Sequence, residues 1–280
     1  MHSLSKVQQR IESGSFMPTS PRLWPNPPGN SPLPLPAGPM FFSGRELSEL
    51  AFPQMPTQDK IDLAGLKEYV GNFTLENGQK LSQVIDLENR RPLLVAGELA
   101  NPYRLCDIMA PDMPIIPVRL EGVCRTWADN LDPRDIQPGI HHVTLARSPG
   151  WWERSFITLL ELPDMKKLLG WLDGSRANTW LPKRLAEGVI RLESDMELTS
   201  PNLEDISWDG IEEKVTLETP SPNGPELDLS TIMIPINIRT GCYNSRGRVA
   251  RCAHYPQTEF HEKLFRRGSS FKWDQILNFL

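Results

Sequence analysis

Nine prolines fall between Pro18 and Pro39, and they bound what the rest of the chain can be. Proline locks φ at about −65° and lacks a backbone N–H, so a stretch this dense can neither run through a helix nor pair inside a sheet. The segment reads as an extended arm. Its apolar residues Leu23, Trp24, Leu33 and Leu35 predict packing on the body of the protein or on a second subunit. A free ligand for proline-recognition modules is the rival reading. Ahead of the arm, Leu4, Val7 and Ile11 share one helical face that stops at Gly14, which predicts a short helix within 1–17. Residues 1–40 therefore form an N-terminal extension, and residues 41–280 form one domain that holds the core.

Of the 280 residues, 39% are hydrophobic and 23% charged, the composition of an ordinary globular domain that needs no disulfide staple. The net charge of −5 argues against a nucleic-acid partner, whose phosphates require clustered cations. The one cationic cluster, Arg246, Arg248, Arg251, Arg266 and Arg267, reads as a solvated face. The four cysteines, Cys106, Cys124, Cys242 and Cys252, form no CxxC pair, so they read as buried thiols in a reducing compartment. No secretory leader is visible. No apolar run reaches the roughly 18 residues of a membrane span. The expectation is a soluble, cytoplasmic protein.

Two helices are well punctuated. One is predicted over 58–70, capped by Thr57, striped by Leu63, Leu66 and Val70, and ended by Gly71. The other is predicted over 163–173, with Pro163 in its first turn and Met165, Leu168, Leu169 and Leu172 as its buried face. Short apolar runs at 93–96 and 156–162 read as buried strands. Ile190, Leu192, Met196 and Leu198 alternate with charges over 190–198, and Ile232, Ile234, Ile236 and Ile238 alternate over 232–238. Both read as strands, the second an edge strand because of Pro235. With Val215 and Leu217 between them and a turn at Ser221–Gly224, three consecutive strands suggest a meander. The fold class is α+β and β-rich: an antiparallel β-barrel or strongly curved sheet with a few outer helices.

The chain carries no GxGxxG, P-loop, GxSxG or HExxH motif, so dinucleotide, nucleoside-triphosphate, α/β-hydrolase and zincin chemistry lack support. The spacing of Cys242, Cys252, His254 and His261 fits no common zinc module, and no metal or other cofactor is expected. His141 and His142 are adjacent on a predicted strand and must face opposite ways, so at most one could serve a given ligand. In Trp180-Leu181-Pro182-Lys183-Arg184-Leu185-Ala186, Lys183 follows a polar loop and stands beside a second cation. Burial and that neighbouring charge both favour the neutral, nucleophilic amine. The alternative is that Lys183 and Arg184 are surface charges on a loop.

The segment Leu181-Pro182-Lys183-Arg184-Leu185-Ala186 resembles the one that carries the Schiff-base lysine in the acetoacetate decarboxylase family. Pro36-Ala37-Gly38-Pro39-Met40-Phe41-Phe42-Ser43-Gly44-Arg45-Glu46 is similar to that family's proline-rich entry into a strand with a functional arginine, here Arg45. His142-Val143-Thr144-Leu145-Ala146-Arg147-Ser148-Pro149-Gly150 resembles the strand that carries a catalytic glutamate, whose position holds Thr144. The resemblance implies a barrel pocket for a keto or β-keto-acid-like molecule. Lys183 would form an imine there, Arg45 would hold a carboxylate or enolate oxygen, and Glu46 or His142 would move protons. With threonine at the glutamate position, acetoacetate decarboxylation is not expected. Other imine chemistry, aldol–dehydration or cyclisation, would act on a larger apolar ligand contacted by Phe42, Trp151, Trp152, Trp180 and Arg184. The second hypothesis is a noncatalytic ligand-binding or assembly protein, a homo-oligomer whose proline-rich arm is exchanged between subunits.

Overall fold

A computed structural model of the chain describes residues 36–44, 46–131, 141–174, 180–237, 243–245, 248–264, 269–270 and 272–280. The predicted helix within 1–17, nearly all of the proline-rich arm, Arg45 and Cys242 lie outside these residues. Among them the protein is β-rich, built on one large antiparallel sheet with few helices, and no closed barrel forms. No described helix is long and apolar enough to cross a membrane.

The scaffold is a hairpin of two long strands, β5 and β6. Elements in chain order are β1 (Met40–Ser43), β2 (Glu46–Ala51), α1 (Leu63–Gly71), β3 (Thr74–Leu75), α2 (Leu81–Val84), β4 (Arg91–Leu94), α3 (Pro102–Asp107), β5 (Met113–Leu131), β6 (His141–Leu160), α4 (Leu162–Asp173), β7 (Trp180–Lys183), β8 (Val189–Leu192), β9 (Ile206–Trp208), β10 (Glu213–Val215), β11 (Glu226–Asp228) and β12 (Ile234–Asn237). One edge of β5 carries β1 over 113–115 and then β8 over 118–121. The other edge carries β6, which is followed by β4. Met233 then pairs with Leu93 in parallel, joining the β12–β7 pair to this edge.

Strand alternation sorts the side chains onto two faces. Phe41, Ile116, Val118, Leu120, Ile157, Ile190 and Leu192 pack with α1 and with Ile232, Ile234 and Ile236 in one core cluster. Met40, Phe42, Met113, Ile115, Phe156 and Leu160 pack with α3, α4 and Trp180 in a second cluster. A sheet whose two faces are both covered by helices needs apolar residues at nearly every position, which is what β5 and β6 supply.

The second face also buries charge. Arg154, Arg119 and Arg191 are directly opposed across β6, β5 and β8, an arrangement that repels. Glu121 compensates, with Oε1 at 2.7 Å from Arg119 Nε and Oε2 at 3.1 Å from Arg191 Nε. Burial holds the fully enclosed Arg119 guanidinium below its usual pKa, opposed by Glu121 and Glu193.

The β5–β6 ladder shifts register twice, at Glu121/Val123 and at Trp127/Leu131, and the first shift is a bulge. Glu121 opposes Trp152 and Val123 opposes Arg147, so Ser148–Trp151 bulge out opposite Gly122. Gly122 has a φ of 78° and lies where an added Cβ would sit 3.5 Å from the Gly188 Cα. The added Cβ would make only an ordinary contact, so it is the left-handed backbone that calls for glycine here.

Several expectations shift. The first helix begins at Leu63, not 58, because Lys60 bridges to Glu226 in parallel and Asp59 and Ile61 exchange backbone hydrogen bonds with Glu226. Asp62 is its cap, accepting from Gly65 N at 2.9 Å. The second helix, Leu162–Asp173, agrees to within a residue and buries the four predicted apolar positions. The strand expected over 190–198 stops at Leu192. Beyond it Glu193 Oε1 accepts from Asp195 N, and Asp195 Oδ1 from Glu197 N, both at 2.8 Å. These side chain–backbone turns compete with the ladder. The meander does not form: β8 pairs with β5 and β11, β10 with β9, and β12 with β7. Pro235 sits directly opposite Pro182, which a non-hydrogen-bonded pair tolerates because neither residue has an N–H to give. Arg251, read as part of a solvated face, is buried and ion-paired to Glu213 at 2.7 Å. Cys106, Cys124 and Cys252 are buried, and Cys124 and Cys252 are free thiols. Burial pushes the Cys124 thiol up to about 12.

Candidate functional site

Beyond the bulge, β6 carries His141 to Arg147 with polar side chains under cover. The two histidines point to opposite faces, as alternation requires. His141 Nδ1 donates to the Ala128 carbonyl at 3.0 Å, so in its neutral form Nε2 accepts from His261 Nδ1, also at 3.0 Å. Its ring meets Phe260 edge-on at 4.7 Å. On the other side, the His142 ring meets the Trp180 indole edge-on at 5.0 Å.

His142, Thr144 and Trp180 line one cavity together with Gly97, Leu145, Leu172 and Ile234. It is a small cavity of about 40 Å³, partly open to solvent. Four elements build it. The turn after β4 supplies Ala96 and Gly97, β6 supplies the polar groups, the last turn of α4 supplies Leu172, and the β7–β12 pair closes it with Trp180 and Ile234. Asp173, the last residue of α4, accepts from Trp180 N at 3.0 Å and so fixes where β7 begins. Thr144 is 2% exposed and its Oγ1 has no hydrogen-bond partner. A buried hydroxyl left open costs about 1–3 kcal/mol.

The other sequence candidates are dispersed. Lys183 is half-buried on β7 opposite Ile234, with its Nζ 5.8 Å from the centroid of the Phe279 ring. Three residues from Trp180, it takes the opposite face of the strand and does not line the cavity. Arg184 is exposed, its carbonyl accepting from Leu280 N at 3.0 Å. Glu46 is exposed on β2, and Phe42 is fully buried in the cluster that also contains Trp180. Trp152 donates to the Thr199 carbonyl at 2.9 Å, and Trp151 packs under Arg251 and His254. Both stand apart from the cavity.

No group of three or more His, Cys, Asp or Glu side chains among the described residues could hold a metal. Cys252 is buried, with its thiol held well above its usual pKa by desolvation, and the His254 and His261 rings bond to Pro201 and His141. Sequence reasoning missed Asp173 as the anchor of β7 and the Arg251–Glu213–Ser148 set. Asp173 carried a weak signal as the last residue before a helix-ending glycine. Arg251 and Glu213 lie 38 residues apart and carried none. No protein-family model, curated protein or solved structure matches the chain.

Proposed function

We propose that the protein binds a small oxygenated organic molecule in the cavity of His142, Thr144 and Trp180. The observation that carries this reading is the buried Thr144 hydroxyl without a partner, set in an otherwise apolar lining beside an imidazole and an indole. Such a lining favours a ligand with an apolar body and one carbonyl or carboxylate group, which the hydroxyl and His142 would orient. A keto or β-keto acid fits that description.

Imine chemistry at Lys183 is a separate reading. It is favoured by the direct pairing of Lys183 with Ile234, a residue of the cavity wall, and it requires the lysine to turn toward the cavity side. A titration of keto acids, ketones and matched hydrocarbons, followed by the Trp180 indole resonance, tests the binding reading. Oxygenated ligands are expected to shift the resonance, and Thr144→Val to weaken them about fivefold, the worth of one hydrogen bond. Binding indifferent to Thr144→Val, or limited to hydrocarbons, overturns it. Borohydride reduction with the same ligands tests the imine. A covalent adduct on wild type that is lost in Lys183→Ala supports it, and equal adducts on both exclude it.

A further inference from the structure

The structure assigns a second binding site to the cleft beneath the β9–β10 hairpin, where we infer that a lysine side chain from a basic segment of a partner protein docks. In this hairpin Ile206 and Val215 are opposed and buried, and Trp208 is directly opposed to Glu213. Beneath the second pair lies a cleft of about 140 Å³, floored by Val249 and Ile276.

Glu213 is 7% exposed. Its Oε2 accepts from Arg251 Nη1 at 2.7 Å and from Val249 N at 3.3 Å. Its Oε1 is buried, lies in a side chain that lines the cleft, and has no hydrogen-bond partner. Arg248 Nε, at 4.0 Å from it, is too distant to donate. The other two arginines at the cleft are engaged, Arg251 by Glu213 and Ser148 and Arg147 by Glu187. One buried carboxylate oxygen therefore awaits a donor from outside.

The rim suits an alkyl chain that ends in a cation. Trp208 is 37% exposed and Ile211 87%. An indole face attracts an ammonium, and an apolar rim accepts its methylene stem. Arg147 and Arg251 at the cleft are already ion-paired, and the hairpin segment 203–218 adds Glu204, Asp205, Asp209, Glu212 and Glu218 against Lys214 alone, a net negative charge that draws a basic partner. Lysine fits better than arginine because a single open oxygen cannot use a two-pronged guanidinium. Ile211 and Trp208 at the rim are apolar, so the docking segment carries apolar residues next to its lysine.

The probe is the peptide acetyl-Leu-Lys-Leu-Lys-Leu-amide, titrated into the full chain by calorimetry, with the Trp208 indole resonance as a second readout in every protein that keeps that indole. It is expected to bind saturably and to weaken with salt. Trp208→Ala or Ile211→Ser should each weaken it about fivefold, the size of one cation–π or apolar contact. Glu213→Gln is expected to abolish binding. Because that change also touches the Arg251 pair, the two exposed-tip variants decide the question if it fails to fold. A peptide with both lysines acetylated that binds equally well overturns the cation site in favour of an apolar partner. A Trp208 shift that depends on protein concentration without peptide overturns it in favour of a second copy of the chain. Equal binding by wild type and the tip variants overturns it outright.

Discussion

The two halves of the β5–β6 hairpin share a backbone and differ in what they bury. Before the bulge, 113–121 and 152–160 place Ile116, Val118, Leu120, Phe156 and Ile157 in two apolar clusters, and Glu121 neutralises the buried arginines. After it, 123–131 and 141–147 bury Thr126, Thr144, His141 and His142. Close-packed apolar side chains make the first half the source of stability. Buried polar groups cost energy unless each is matched, and both halves carry them: the buried hydroxyls of Ser155 and Thr158 in the first half and of Thr144 in the second have no hydrogen-bond partner. Of these three, Thr144 alone lines the candidate cavity.

The sharpest way to break the comparison is in the first half. Phe156 is fully buried, and Phe156→Ala should cost about 3–5 kcal/mol, read as a fall in the urea midpoint. A cost below that of a surface substitution would deny the first half its role. Glu121→Gln comes next. It leaves Arg119 enclosed without its counter-charge, and breaking such a pair costs about 3 kcal/mol. A neutral result in the same unfolding assay would mean that Glu193 already carries the compensation.

In the second half the sign should reverse. Thr144→Val keeps the shape and removes an unsatisfied hydroxyl, so the ligand-free protein should gain about 1 kcal/mol even as ligand affinity falls. Destabilisation would show that the hydroxyl is matched in solution. The smallest effect concerns His254, which burial chiefly, with some help from Arg251, holds below its usual pKa against the opposing hydrogen bond to the Pro201 carbonyl. The unfolded chain then binds this proton more readily than the native one. Stability is full above the unfolded value of about 6.5 and falls with pH from there toward the depressed native value. The difference between wild type and His254→Asn in urea midpoint should change over that window and be flat above it.

The elements whose signal is local were legible in the sequence. The helix over Leu162–Asp173 follows from Pro163, four apolar residues at helical spacing and a terminal glycine, all within one stretch. The opposite facing of His141 and His142 follows from strand geometry alone. The prediction failed where a distant partner intervened, as when Glu226 held 59–61 out of the first helix, and where local side chain–backbone turns at Glu193 and Asp195 took the chain out of β8.

By itself, the sequence determined a β-rich domain with two main helices, because alternation and helical periodicity are properties of neighbouring residues. Only the tertiary structure decided which strands meet and which side chains share a cavity. His142, Thr144 and Trp180 come together because Asp173 seats β7 and Met233 carries β12 to the edge of β4. Lys183, three residues from Trp180 on the same strand, is turned to the other face. Pairing across many intervening residues depends on the packing of the whole core, and a strand's register decides which of its two faces a side chain joins.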